Sequence, residues 1–141
     1  MSSNTYKATV HYAGDEFFIG VPPGGHAQLM DSKGDRHAAT TPLEMLLVAV
    51  AGCTAMDVQS ILTKKRQDVT AYNVEIEGVR AEGHPRKFLK FHINHIVHGR
   101  SVSAKAVEDA IRLSDTTYCS VAATVRPTAE ITTSYEIIEV E

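Results

Sequence analysis

Tryptophan is absent from this 141-residue chain, cysteine occurs only twice, and aromatic side chains make up 6% of it. Two cysteines cannot supply the several crosslinks of a disulfide-stapled secreted scaffold. The N-terminus, MSSNTYKATV, lacks the basic start and long apolar run of a signal peptide. The densest apolar run, Leu43 to Met56, is broken by Glu44 and is shorter than a bilayer span requires. A soluble cytoplasmic protein with no membrane partner is therefore expected. Positive charge is not in excess either: 14 Lys and Arg stand against 17 Asp and Glu, for a net charge of -3. That balance argues against a nucleic-acid partner. The glycines of Pro22-Pro23-Gly24-Gly25 lack the lysine and helix context of a phosphate loop. His92, His95 and His98 alternate across a strand and cannot converge on a metal. No cofactor and no metal are expected.

What is present reads as one ordinary globular domain over residues 1–141, with 43% hydrophobic residues. Tyr6, Ala8, Val10 and Tyr12 alternate with polar residues, which is strand periodicity. A turn at Ala13-Gly14-Asp15, a strand over Glu16 to Gly20 and a short one around His26 to Met30 complete an N-terminal meander and loop, residues 1–40. Residues 41–141 then read as an αββααβ part bearing both cysteines. Thr40 or Thr41 caps a helix whose first position is Pro42 and which runs to about Arg66. Its first half is apolar all round, so burial on every side is expected. Val69 to Arg80 and Phe88 to His98 read as strands, Ser101 to Leu113 and Ser114 to Val125 as helices, and Ala129 to Val140 as a last strand. Clustered strands favour an α+β fold with antiparallel pairing.

The cysteines are either inert small hydrophobes or a working redox pair. Cys53 lies midway along the apolar helix beside Gly52, whose presence there costs about 1 kcal/mol relative to alanine. Room for a small molecule, or close approach of another backbone, would account for it. A thiol in apolar surroundings needs a cation to become reactive. Cys119 follows Ser114-Asp115-Thr116-Thr117, a cluster of good helix caps, so a helix N-terminus is expected to stabilise its thiolate.

The stretch Thr41-Pro42-Leu43-Glu44-Met45-Leu46-Leu47, running into Ala51-Gly52-Cys53-Thr54-Ala55-Met56-Asp57-Val58, resembles the central-helix signature of the OsmC/Ohr family. Ser114-Asp115-Thr116-Thr117-Tyr118-Cys119-Ser120-Val121 resembles the second-cysteine motif of that family. Asp57-Val58-Gln59-Ser60-Ile61-Leu62 and Ile131-Thr132-Thr133-Ser134-Tyr135-Glu136 look nearest to its YhfA-like branch. The resemblance implies an intertwined homodimer with antiparallel sheets packed around a long buried central helix. It also implies a thiol peroxidase acting on organic hydroperoxides. Cys53 would match the attacking thiolate, Cys119 the thiol that resolves its sulfenic acid, and an external dithiol such as a lipoyl group the reductant. Family peroxidases hold the thiolate with an arginine, and that arginine with a glutamate. Here Leu43 occupies the usual acid position and Glu44 follows one residue later, about 100° around the helix. Arg36 is the candidate arginine, with Lys33 as a substitute. The alternative is a non-enzymatic dimer of the same fold, serving as a thiol redox sensor or a binder of small apolar ligands.

Overall fold

The computed structural model describes residues 4–141; Met1 to Ser3, the start of the expected domain, lie outside the described residues. The chain divides into two compact units, Met1–Leu46 and Leu47–Glu141. In the first, β1 (Thr9–Gly14), β2 (Phe17–Val21) and β3 (Gln28–Asp31) form an antiparallel meander in that order. The turn between β1 and β2 needs left-handed backbone. Gly14 supplies φ of +89°, and Asp15 and Glu16 continue at +50° and +63°.

Helix α1 (Pro42–Lys64) begins in the first unit and continues through the second. Its start is a capping box. Thr41 Oγ1 accepts from the Glu44 backbone N–H at 3.2 Å, and Glu44 Oε1 accepts from the Thr41 N–H at 2.9 Å. Its end falls slightly before the expected Arg66, because Arg66 turns left-handed at φ +58°. The Gln67 N–H then reaches back to Leu62 O and the Arg66 N–H to Thr63 O, both at 3.0 Å, the paired bonds of a Schellman stop. The expectation of burial on every side of the first half is corrected. Val50, Ala51, Thr54, Val58 and Leu62 form one buried stripe, while Val48 is 67% and Met56 77% exposed. At 100° per residue, a single covering layer can bury only one such stripe. The helix is also long and apolar enough, by length and composition, to cross a membrane, contrary to the estimate from Leu43–Met56 alone. A core helix passes the same test, and α1 packs its buried stripe into protein.

In the second unit β4 (Asp68–Arg80), β5 (Phe88–Arg100) and β6 (Glu130–Glu139) form a sheet with β5 in the middle. β4 and β5 pair antiparallel, as expected, but β5 and β6 run parallel, from Lys90 beside Glu130 to Gly99 beside Glu139. The reason is the connection: α2 (Ala104–Leu113) and α3 (Ser120–Val125) intervene and carry the chain back before β6 begins. Helix α2 is capped by Ser103, whose Oγ accepts from the Ala106 N–H. Its buried face, Ala106, Val107, Ala110 and Ile111, joins Val58 and Leu62 of α1 and Val97 of β5 in one hydrophobic core. Gly99 allows that closure. A Cβ there would stand 2.2 Å from Asp68 O and 2.5 Å from Val102 Cγ2.

The single helix expected over Ser114 to Val125 is two pieces. Ser114–Tyr118 form a wide π-helical turn continuing α2, Cys119 is extended at φ -76° and ψ 99°, and α3 starts at Ser120. This break decides where the second cysteine points.

Candidate functional site

Cys53 projects from the middle of α1, and Asp57 lies one turn further along the same face. Cys119 arrives from the break before α3. The sulfurs of Cys53 and Cys119 and a carboxylate oxygen of Asp57 all lie within 4.8 Å of one another. Both cysteines are free. A disulfide needs its sulfurs at about 2.05 Å, so the two must approach further before a bond forms.

The two thiols are not equivalent. Cys53 is half-buried, whereas Cys119 is 4% exposed. As N-cap of α3, Cys119 Sγ accepts from the Ala122 N–H at 3.3 Å, the helix-end contact anticipated for it. The expected consequence is corrected, however. Burial, a hydrogen bond to Cys53 and the nearby charge of Asp57 outweigh that N–H and push the Cys119 thiol up to about 11. One hydrogen bond from a short helix does not offset removal from water. Cys119 therefore keeps its proton at neutral pH, and Cys53 is the sulfur that outside reagents can reach.

Asp57 is held in place from below. Ser114 is fully buried, donates to Asp57 Oδ2 at 2.9 Å and lies 2.9 Å from Thr54 Oγ1. A chain of polar side chains thus runs under an otherwise apolar helix. Neither Asp57 nor Ser114 was singled out as a site residue from the sequence. The signal was there: an acid four residues after Cys53, on the same helical face and within the quoted motif.

Arg36 and Glu44 are engaged within the first unit. Arg36 Nε and Nη2 donate to the two Asp31 oxygens at 2.8 Å, Nη1 donates to Asp15 Oδ2 at 2.8 Å, and Nη2 also donates to Asp15 O at 2.7 Å. The guanidinium stacks 3.9 Å from the centre of the Phe17 ring. Asp31, itself buried, further accepts from the backbone N–H groups of Lys33 and Ala38. Its carboxyl is held far below the usual range, chiefly by Arg36. Lys33, the substitute cation, lies 3.5 Å from Asp15. Glu44 serves the capping box, and the Thr41 N–H lowers its pKa.

The family described as OsmC-like protein matches residues 33–134, a span that contains Cys53, Asp57, Ser114 and Cys119. The chain belongs to the OsmC-like family. It is 41% identical over 133 residues to protein YhfA of Escherichia coli strain K12, covering 94% of this chain and 98% of that one. A hypothetical protein from Aquifex aeolicus VF5 has the same fold, with a TM-score of 0.87 and 29% identity, covering 99% of this chain and all of that one. An organic hydroperoxide resistance protein OsmC from Legionella pneumophila superposes with a TM-score of 0.67 at 14% identity, covering 96% and 99% of the two chains. At that identity the likeness is one of fold. The OsmC-like assignment agrees with the resemblance carried by the two cysteine motifs, including its YhfA-like branch.

Proposed function

We propose that this protein is a cytoplasmic, homodimeric thiol peroxidase that reduces organic hydroperoxides. The observation that carries this reading is the meeting of two free cysteines, far apart in sequence, one half-exposed and one buried. The Legionella relative, named for organic hydroperoxide resistance, supports the substrate class. Cys53, as thiolate, attacks the terminal peroxide oxygen; the O–O bond breaks, the alcohol leaves with a proton, and Cys53 becomes a sulfenic acid. Cys119 then attacks the Cys53 sulfur, the S–O bond breaks, water leaves and a disulfide forms. Because burial holds the Cys119 proton, that step needs a base, and the candidate is the Asp57 carboxylate, with an oxygen within 4.8 Å of its sulfur. An external dithiol, a lipoyl group being the candidate, returns the disulfide to two thiols by exchange.

The homodimer is supported by apolar surface left open on the chain. Val48 and Met56 are exposed on α1, as are Val10 and Tyr12 on β1. A Cβ built on Gly52 would meet nothing within 4 Å, so space beside Cys53 remains for a substrate or for a second chain.

One observation favours a second reading, a redox sensor that is oxidised slowly and does not turn over. Four guanidinium donors of Arg36 are committed to Asp31 and Asp15, and Leu43 replaces the usual acid. Steady-state consumption of cumene hydroperoxide with a lipoyl dithiol separates the two. The peroxidase sustains many turnovers per chain, and the sensor stops after one.

A further inference from the structure

The cysteine cluster carries a third potential metal ligand beside its two sulfurs. Asp57 adds a carboxylate oxygen to two sulfurs, all within 4.8 Å of one another. In a tetrahedral site, with metal–sulfur bonds of about 2.3 Å and metal–oxygen bonds of about 2.0–2.2 Å, ligand atoms stand a little under 4 Å apart. The three atoms thus need to contract by no more than about 1 Å to embrace one ion. Cys53 and Asp57 are spaced i, i+4 on one rigid helix, a spacing that presents two ligands to a single point. The third comes from a separate element, the extended Cys119 between the π-helical turn and α3. The carboxylate is also hydrogen-bonded as metal-binding carboxylates are: buried Ser114 donates to its Oδ2 at 2.9 Å.

We infer that the reduced protein binds one thiophilic divalent cation, zinc being the physiological candidate, through Cys53, Cys119 and Asp57. Three protein ligands leave the fourth tetrahedral position to water or another small ligand. Two thiolates and a single carboxylate select zinc over magnesium or calcium, which prefer all-oxygen shells. Binding replaces two S–H protons by two metal–sulfur bonds and releases both protons to solvent. Oxidation of the pair by a hydroperoxide reverses it: the sulfurs join, the peroxide becomes alcohol and water by taking up two protons, and the ion leaves. The bound ion therefore caps the nucleophile, and the same two sulfurs hold either a metal or a disulfide.

The test is direct binding without peroxide, so its outcome is independent of whether the protein turns over hydroperoxides. Fully reduced full-length protein is titrated anaerobically with cobalt(II), followed by zinc displacement in competition with a chromogenic chelator. One ion per chain is expected, with thiolate-to-cobalt charge-transfer absorption and the visible bands of tetrahedral cobalt. Cys53→Ser and Cys119→Ser should each abolish the charge-transfer intensity or halve it with a large loss of affinity. Asp57→Asn and Ser114→Ala should weaken zinc binding by ~10-fold or more. Wild-type protein carrying the Cys53–Cys119 disulfide should bind none, a comparison that needs no variant to fold. Zinc should also slow alkylation of Cys53 by iodoacetamide at least ~10-fold. Octahedral cobalt spectra, or equal zinc binding by the reduced and disulfide forms, would overturn the site.

Discussion

Lowering the pH from 7.5 to 4 should destabilise this protein through one buried imidazole. His95 is fully buried on β5, with Nδ1 2.7 Å from the Tyr72 hydroxyl and the two rings stacked at 6.0 Å. Its Nε2 has no hydrogen-bond partner among the described residues. Protonation would place an uncompensated cation inside the sheet, and burial accordingly lowers the pKa from 6.5 to about 4. The unfolded chain takes up the proton near 6.5 and the native chain only near 4. Stability is therefore full above pH 6.5 and falls as pH drops between those two values. At about 1.36 kcal/mol per unit, the total loss is about 3 kcal/mol. That is a large share of the 5–15 kcal/mol typical of a domain. Urea unfolding at stepped pH, on wild type and on His95→Gln, isolates the effect, because the carboxylates titrate alike in both. The wild-type curve should fall about 3 kcal/mol further than the variant curve between pH 7.5 and 4. Parallel curves, or an imidazole titrating near 6.5 in the folded protein by NMR, would refute the reasoning.

Alkylation of Cys119 in a Cys53→Ser variant should be slow at pH 8, because burial, the largest cause of its raised pKa, persists there. Its rate should still climb about tenfold per pH unit above pH 8, read by mass spectrometry; a plateau by pH 8 would contradict the burial argument. Gly99→Ala should cost at least about 3 kcal/mol, because its Cβ meets the Asp68 carbonyl at 2.2 Å. Thermal unfolding would show it as a drop of about 10 °C. Met56→Asp should reduce the solution mass by light scattering from twice 15.4 kDa to 15.4 kDa. A monomeric wild type, or an Asp variant that stays dimeric, would remove that face from the proposed interface.

Much of the architecture could be read from local pattern. Alternation marked the strands, and Thr41-Pro42 marked the start of α1. The helical spacing of Ala106, Val107, Ala110 and Ile111 marked the inward face of α2. What was not legible depends on partners distant in sequence. The parallel pairing of β6 follows from a crossover that no periodicity within β6 records. The apolar faces of α1 looked alike in sequence, and only the packing shows which stripe is covered. The break at Cys119 was not legible because any of the cap residues Ser114 to Thr117 could start a helix, whereas Cys119 itself caps α3. The motifs brought Cys53 and Cys119 forward, but the role of Ser114 under Asp57 required the fold, since those residues come from different helical segments. Arg36 and Glu44 illustrate the opposite case. Both are engaged locally, one with Asp31 and Asp15 and the other with Thr41.

The pairing of Cys53 with Cys119 is tested most directly by intact mass after one equivalent of cumene hydroperoxide on metal-free reduced protein. Wild type should lose two hydrogens as the disulfide forms. Cys119→Ser should instead gain one oxygen as a trapped sulfenic acid, and Cys53→Ser should remain unchanged. Loss of two hydrogens through crosslinked chains, or oxidation of Cys53→Ser at the wild-type rate, would contradict the account.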